Sequence, residues 1–244
     1  MSLRALIFDV DGTLADSEEA HRQAFNAAFA EHGLSWCWGR RVYCELLKIA
    51  GGRERIAHFV DLLDVPERNR SALKRRIPAI QSCKTRHYAR LVAAGRVPLR
   101  DGVERLIAEA RAAGLRLAIA STTSRTNIDA LLNHTLGNRA IDWFEVIAAS
   151  DFGGRKKPAS DIYEFVLAEL GLRAADCIAF EDSTIGLAAA KGAGLYTVVT
   201  PTFWTADTDL SAANLLLTSL RDGGDLAALS SPHSDWYADQ MEAA

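Results

Sequence analysis

Two aspartates near the start of the chain, Asp9 and Asp11, stand directly after a short apolar segment. In an Asp-x-Asp-Gly-Thr sequence such a pair can simply favour a turn, because Asp and Gly suit tight loops. A second acidic pair, Glu181 and Asp182, ends another apolar run much further along. Carboxylates are the hard oxygen ligands that Mg²⁺ prefers, and clustered carboxylates repel one another unless a cation neutralises them. The sequence therefore predicts a magnesium site.

Two other side chains could act on a phosphate beside such a site. Ser121 ends an apolar run, and its hydroxyl and the neighbouring backbone N–H groups at a helix start can donate to a phosphate oxygen. Lys157, next to Pro158, offers an ammonium group that can offset charge on a nucleophile and a phosphoryl group. A single lysine is more often an exposed surface residue, so the role predicted for Lys157 depends on the acidic pairs.

Short apolar runs alternate with helical patterns over most of the chain, and this alternation predicts the elements that position those residues. The strand-like runs are residues 3–10, 115–120, 144–149, 177–180 and 196–199. The helical patterns between them are residues 102–113, 126–132, 161–170 and 184–190. This order is typical of βαβ units, so the predicted fold class is α/β with a Rossmann-like parallel-sheet core. Because ligands bind beyond the carboxyl ends of such strands, we expect the acidic and hydroxyl residues to meet there.

The stretch after the first strand is different, because it has three or four amphipathic helical patterns and no convincing strand. These patterns include residues 18–32, 53–63 and 72–94, and Pro66 and Pro78 punctuate the stretch. We interpret the stretch as an all-helical domain inserted into the core. The predicted boundaries are 1–15 and 97–230 for the core, 16–96 for the helical insertion and 231–244 for a polar peripheral tail.

Composition limits the class of protein and of partner. The chain has 244 residues, of which 49% are hydrophobic and 24% charged, as is ordinary for a globular protein. A formal net charge of -3 gives no general attraction to nucleic acid or to an anionic membrane. No apolar run reaches the length needed to cross a bilayer. We therefore expect a soluble cytoplasmic protein without nucleic-acid or membrane partners.

Cysteines and histidines give no metal-site signal in this interpretation. The four cysteines lie far apart and are expected to be free thiols in a reducing compartment. No histidine is expected to partner them at metal-ligand spacing. Histidines such as His21 and His87 are instead predicted to be surface or core residues.

Residues 9–14, 121–123, 157–161 and 181–186 resemble, in this order, the four motifs of the haloacid dehalogenase superfamily. The resemblance implies that Asp9 is the nucleophile, forming an aspartyl phosphate, and that Asp11 is the general acid/base. It also implies Mg²⁺ bound by Asp9, Asp182 and the main-chain carbonyl of Asp11, with Glu181 nearby or as an alternate ligand. The superfamily's true dehalogenases lack the second aspartate, so phosphoryl transfer is the stronger interpretation.

The helical insertion resembles the C1-type cap of the subgroup that contains β-phosphoglucomutase. Residues 36–38, 46–56, 84–85, 121–127 and 156–158 are further similar to the CbbY-type family of Calvin-cycle operons, whose members dephosphorylate xylulose-1,5-bisphosphate. Such a substrate needs a second anion site, which the resemblance places in the cap. The implied substrate-binding residues are Glu18, Gly51, Gly52, Arg53, Arg55, Lys84, Ser121, Thr122, Thr123, Asn127 and Lys157. Gln81 departs from this family, which carries His there, and bears on a sugar-hydroxyl contact.

Other interpretations remain open from the sequence. A sugar-phosphate mutase of the β-phosphoglucomutase type would use the same aspartyl phosphate, and a phosphatase of other small metabolites would use the same core. A non-catalytic binding module is disfavoured because all four motifs are intact. Arg55 and Lys84 could instead be solvated charges of cap helices, while Trp36 and Trp38 are expected to pack inside the cap. The expected partner is a small phosphorylated sugar, bound by a monomer.

Overall fold

The computed structural model of the protein describes residues 3–242, with side chains through Ala238. Its strands are β1 (Ala5–Phe8), β2 (Arg116–Ala120), β3 (Phe144–Ala148), β4 (Cys177–Glu181), β5 (Tyr196–Val199) and β6 (Leu215–Leu216). They form one sheet in the order β3-β2-β1-β4-β5-β6, and each neighbouring pair is parallel. The predicted α/β fold with a parallel sheet is confirmed.

Helices fill the connections between these strands. They are α1 (Glu18–Glu31), α2 (Arg40–Leu47), α3 (Gly52–Asp61), α4 (Glu67–Ala93), α5 (Val103–Ala112), α6 (Arg125–Thr135), α7 (Asp161–Leu170), α8 (Thr184–Gly192) and α9 (Leu226–Glu242). Helices α1 to α4 follow β1 with no strand between them, and α5 to α8 alternate with the remaining strands. Among the described residues, no helix is long and apolar enough to span a membrane.

The central strand β1 shows how the sheet is held between two apolar layers. Its side chains alternate, so that Leu6 and Phe8 join one buried cluster while Ala5 and Ile7 join the other. All four are fully buried, which explains why the strand reads as an unbroken apolar run. The pairing of β1 with β4 brings the ends of these two strands side by side, at Phe8 and Phe180. The residues that follow them therefore leave the sheet at the same edge.

Helices α1 to α4 pack around a further apolar cluster, to which Trp204 of the core also belongs. Trp38 is fully buried and its ring lies 4.8 Å from that of Phe25, while Trp36 packs edge-on against Phe59 at 5.4 Å. Both tryptophans therefore pack inside the helical insertion, as the sequence predicted. Helix α4 continues through Pro78, in agreement with the helical pattern predicted over residues 72–94. The buried neighbours Ile77 and Ile80 pack into this cluster and hold the helix in place across the proline.

The end of the chain differs from the predicted peripheral tail. Helix α9 runs from Leu226 through Glu242, and its Leu229 and His233 are buried. These residues and Trp236, which packs on the core, recur every three or four positions and so share one helical face. The polar run around Pro232 concealed this spacing. The two-residue strand β6 was also missed, because it is too short to show a period.

Candidate active site

A buried lysine links the ends of the two central strands. Asp9 follows β1, and its backbone N–H donates to the Phe180 carbonyl of β4 at 3.0 Å. Lys157 Nζ donates to Asp9 Oδ1 at 2.7 Å and to Glu181 Oε1 at 2.6 Å. The Tyr163 hydroxyl donates to the same Glu181 carboxylate. Lys157 is only 4% exposed, so it is a component of this edge rather than a surface lysine.

Three carboxylates converge beside this lysine. Oxygen atoms of Asp9, Glu181 and Asp182 all lie within 4.8 Å of one another, and all three residues are buried. Burial raises the pKa of Asp9 to about 8 in spite of Lys157, and burial together with Asp9 and Glu181 raises the pKa of Asp182. Burial opposes the charge of Lys157, but Asp9 and Glu181 outweigh it and raise the pKa of its ammonium group. Lys157 thus pairs with two of the three acids, and the raised pKa values of Asp9 and Asp182 show that their ionised forms lack compensating positive charge.

The backbone approaches these acids so closely that side chains are excluded. A Cβ atom on Gly12 would lie 2.2 Å from Asp182 Oδ2, and one on Gly186 would lie 1.8 Å from Glu181 Oε2. Gly12 also has a φ of 81°, in the left-handed region. The Asp-x-Asp-Gly turn therefore places the backbone after Asp9 directly against the Asp182 carboxylate, which follows β4.

The Asp11 carboxylate is held by the first helix of the insertion. Its Oδ1 accepts from the Ser17 hydroxyl at 2.6 Å and lies 2.8 Å from His21 Nε2. His21 Nδ1 lies 2.7 Å from Lys84 Nζ. Because an ammonium group only donates, Nδ1 accepts and the ring proton is assigned to Nε2, which donates to Asp11. Burial alone would raise the pKa of Asp11, but His21, Ser17 and Lys84 outweigh burial and hold it well below its usual range.

Sequence reasoning did not assign a role to His21 or Ser17. His21 is indeed a buried residue, 4% exposed and stacked 4.0 Å from the Tyr88 ring, but it also contacts the predicted acid/base directly. Ser17 and His21 are four residues apart, and this helical spacing at the start of α1 is the signal that could have found them. Lys84, predicted to meet a distal phosphate, is likewise buried and is engaged by His21.

The other charged residues predicted in the cap have defined surroundings. Glu18 is 9% exposed and accepts from the Tyr43 hydroxyl at 2.8 Å. Arg55 donates to the Tyr43 hydroxyl at 3.1 Å and to the Leu46 carbonyl at 3.0 Å. Arg53, one residue beyond the Gly51-Gly52 turn, is exposed to solvent.

The segment after β2 forms the third wall of the site. Ser121 is 1% exposed, and its backbone N–H donates to the Ala148 carbonyl at 3.0 Å. Helix α6 begins after Ser124, whose hydroxyl caps it by accepting from the Asn127 N–H. Ser121 was expected at the start of this helix but lies before its cap residue. Asn127 Nδ2 donates to the Thr123 hydroxyl at 3.0 Å.

These walls enclose one cavity of about 580 Å³ between the carboxyl edge of the sheet and the helical insertion. Every residue predicted from the sequence to act in catalysis, metal binding or substrate binding lines it, and their roles stay predictions. The cavity also reaches His21, Gln81 and Lys156, and Lys156 Nζ bridges to Glu54 of α3 at 2.5 Å. Among the residues described, the side-chain oxygens Gln81 Oε1 and Asn127 Oδ1 are buried without a hydrogen-bond partner.

Known proteins match this chain over most of its length. Protein CbbY (plasmid) of Cupriavidus necator is 53% identical over 223 residues, which are 90% of this chain and 87% of that protein. The crystal structure of CbbY from Rhodobacter sphaeroides in complex with phosphate is 44% identical, with a TM-score of 0.85 over 94% of this chain and 99% of that one. A crystal structure of a mutant of that CbbY, in complex with xylulose-1,5-bisphosphate, has a TM-score of 0.86 at 44% identity and covers 94% of this chain and 100% of that one.

A family model covers the same region. The model of haloacid dehalogenase-like hydrolases matches residues 3–194, which include all four motifs and the whole helical insertion. The order of the motifs, the parallel sheet and the acidic edge of the sheet all agree with that match. The chain is therefore a member of the haloacid dehalogenase-like hydrolase family.

Proposed function

We propose that this protein is a magnesium-dependent phosphatase that hydrolyses xylulose-1,5-bisphosphate through an aspartyl phosphate at Asp9. The observation that carries the proposal is the buried edge of the sheet where Lys157 joins Asp9 to Glu181, with Asp182 beside them. The similarity to CbbY proteins, at 53% identity to that of Cupriavidus necator, supports the choice of substrate.

A divalent metal fits this edge. Haloacid dehalogenase-like hydrolases generally use one, and the buried acids here exceed the charge of their single lysine partner. Their donors are carboxylate oxygens without sulfur or nitrogen, a set that favours Mg²⁺. We propose Asp9, Asp182 and the main-chain carbonyl of Asp11 as ligands, with Glu181 nearby. Mg²⁺ bound there would neutralise charge on the phosphoryl oxygens.

The proposed reaction has two steps. Asp9 attacks phosphorus while the bond from phosphorus to the sugar oxygen breaks, and a protonated Asp11 gives its proton to that oxygen. Water then attacks the phosphorus of the aspartyl phosphate and gives a proton to Asp11. The bond between phosphorus and Asp9 breaks, so that phosphate is released and the Asp9 carboxylate is restored. Ser121 and Lys157 donate to the phosphoryl oxygens in both steps. The hydrogen bonds from Ser17 and His21 favour the ionised form of Asp11, the form that accepts the proton from water.

The cap is proposed to select the substrate. Arg53 and Arg55, with the backbone at Gly51 and Gly52, would bind the second phosphate, and Thr122 and Thr123 offer further hydroxyl donors. Lys84, which contacts His21, would add its positive charge to this part of the cavity. Glu18 and the unpaired oxygens of Gln81 and Asn127 are acceptors, which suit the hydroxyl groups of a sugar. A buried acceptor without a partner is costly, so these oxygens favour a ligand that can donate to them.

We also propose that the boundaries 16–96 for the cap and 1–15 with 97–230 for the core hold, and that the protein acts as a cytoplasmic monomer. Helices α1 to α4 share an apolar cluster, to which the core contributes Trp204, and this supports a separate cap. Four free cysteines agree with a reducing compartment.

A phosphate-release assay against a panel of sugar phosphates tests the proposal. We expect Mg²⁺-dependent release and the highest kcat/KM with xylulose-1,5-bisphosphate, since only a bisphosphate can use both ends of the cavity. A monophosphate that matches the bisphosphate would contradict the proposed substrate and leave the phosphatase chemistry standing. Isomerisation of a sugar phosphate without phosphate release would instead support a mutase.

A further inference from the structure

A cysteine, a histidine and a glutamate of the helical insertion lie close together outside the cavity. The ligating atoms of Glu31, Cys83 and His87 are all within 4.8 Å of one another. None of the three residues lines the cavity. Glu31 ends α1, whereas Glu18 begins it, and the 14 residues between these ends span about 20 Å. The cluster is therefore separate from the carboxylates at the edge of the sheet.

The packing of two helices creates this cluster. Cys83 and His87 are four residues apart on α4 and therefore share one face of the helix. Helix α1 packs along α4 and brings Glu31 to that face. His87 Nε2 lies 2.9 Å from one Glu31 oxygen, and Arg86 donates to the other at 3.1 Å. The expectation that no histidine would partner a cysteine is wrong, because the spacing Cys-x-x-x-His falls within a helix.

We propose that Cys83, His87 and Glu31 form a binding site for a thiophilic divalent cation of the Zn²⁺ class. Thiolate, imidazole and carboxylate are the ligand types found around zinc, and three protein ligands with one water complete a tetrahedral shell. The thiolate disfavours Mg²⁺, so this site and the acidic edge of the sheet select different metals.

Binding requires a defined exchange of protons. The S–H bond of Cys83 breaks and its proton passes to solvent, and no electron is transferred. His87 binds through Nε2 as the neutral imidazole with its proton on Nδ1, and Glu31 exchanges its contact with His87 for a bond to the metal. Burial and the adjacent Glu31 raise the pKa of the Cys83 thiol, so occupancy should increase with pH.

The site is open to solvent and joins the two helices that reach Asp11 from the cap. Glu31 is half exposed and the His87 side chain is 20% exposed, so a cation can reach the buried thiol from solvent. Helices α1 and α4 also carry His21 and Lys84, the residues that reach Asp11 from the cap. A cation bound by Glu31 at the end of α1 and by Cys83 and His87, which flank Lys84 on α4, would hold the two helices together.

Cobalt titration of the metal-free protein tests the site directly. Co²⁺ bound to a thiolate gives a charge-transfer absorption that carboxylates alone cannot give, so the active-site acids are silent in this measurement. We expect one equivalent of Co²⁺ to produce this band and Zn²⁺ to displace it. Cys83→Ser should abolish the band, and Cys37→Ser, which changes an exposed cysteine, should keep it.

Because Cys83 is buried, Cys83→Ser could lose the band by misfolding, so two variants at the more exposed ligands provide an independent test. With circular dichroism unchanged, His87→Ala and Glu31→Ala should each weaken Co²⁺ and Zn²⁺ affinity by more than about tenfold, since even outer-shell partners of a metal change affinity about 10–100-fold. No thiolate band in the wild-type protein, a band that survives in Cys83→Ser, or equal affinity in wild type, His87→Ala and Glu31→Ala would each overturn the proposal.

Discussion

The two walls of the cavity hold their positive charges in different ways. On the core wall, Lys157 lies between two carboxylates, and its charge is balanced by Asp9 and Glu181. On the cap wall, the groups that contact Arg55 and Lys84 are neutral: a tyrosine hydroxyl, backbone carbonyls and the His21 ring. A cation held by neutral acceptors keeps its charge available to an anionic ligand.

This difference separates two tasks. The core wall fixes the reacting groups in an acidic cluster that suits a metal and a single phosphoryl group, whatever the rest of the substrate. The cap wall offers hydrogen-bond acceptors and positive charges whose direct hydrogen-bond partners are neutral. Substitutions of the reacting core residues should therefore affect all substrates alike, whereas substitutions of Arg53 or Arg55 in the cap should affect only substrates with a second phosphate.

The largest expected effect is that of Asp9→Asn. An amide is a poor nucleophile, so turnover of xylulose-1,5-bisphosphate and p-nitrophenyl phosphate should both fall by about four orders of magnitude or more. Steady-state kinetics with circular dichroism checks this, and Asp129→Asn, at an aspartate that pairs with Arg125 and does not line the cavity, is the matched control. Activity within tenfold of wild type would exclude Asp9 as the nucleophile.

Metal removal tests the same wall. EDTA should abolish activity and Mg²⁺ should restore it, because Asp9, Glu181 and Asp182 need a cation. Asp182→Ala should raise the Mg²⁺ concentration for half-maximal activity by more than about tenfold, because it removes one of the carboxylate ligands proposed for the ion. Metal titrations of wild type and variant give this value, and full activity in verified metal-free protein would refute the assignment.

The cap wall predicts a smaller and selective effect. Arg53→Ala and Arg55→Ala should each lower kcat/KM for the bisphosphate about ten- to a hundredfold, because a charge-assisted contact to phosphate contributes roughly 1.5–3 kcal/mol. The same variants should spare p-nitrophenyl phosphate, which has no second anion. Arg68→Ala, on the exposed side of α4, is the control. An equal loss with both substrates would show that these residues only support the cap.

The sequence predicted the core wall better than the cap wall, for a physical reason. Asp9 and Glu181 each follow an apolar run, and parallel pairing of β1 with β4 necessarily brings such ends together. Helix α7 begins and ends at the predicted residues. Asp161 is its first residue, and Gly171, whose backbone is in the left-handed region, ends it. These features depend on local signals and on one general rule for parallel sheets.

The cap depends on contacts between helices that no local pattern specifies. Lys84 reaches His21 only because α4 packs on α1, 63 residues earlier in the chain. From the sequence alone Lys84 is one basic residue among several on a helix, so its burial and its partner could not be predicted. The Cys83, His87 and Glu31 cluster was missed for the same reason, since its third member comes from the other helix.

The last prediction concerns the stability of the cap and not turnover. Burial lowers the pKa of Lys84 from 10.5 to about 8, so between these values the unfolded chain binds a proton that the folded protein has lost. The free energy of unfolding should therefore rise with pH from about 8 to 10.5, by at most about 1.4 kcal/mol per pH unit. Below pH 8 both states carry the proton and this contribution is constant. Lys84→Met keeps the length of the side chain and removes the charge, so the wild-type curve minus the variant curve isolates the effect from the tyrosines that titrate near pH 10. Urea unfolding in EDTA at several pH values gives both curves. A difference that is flat or falls over this interval would show that Lys84 stays charged against His21, and the cap wall would then keep its positive charge at every pH tested.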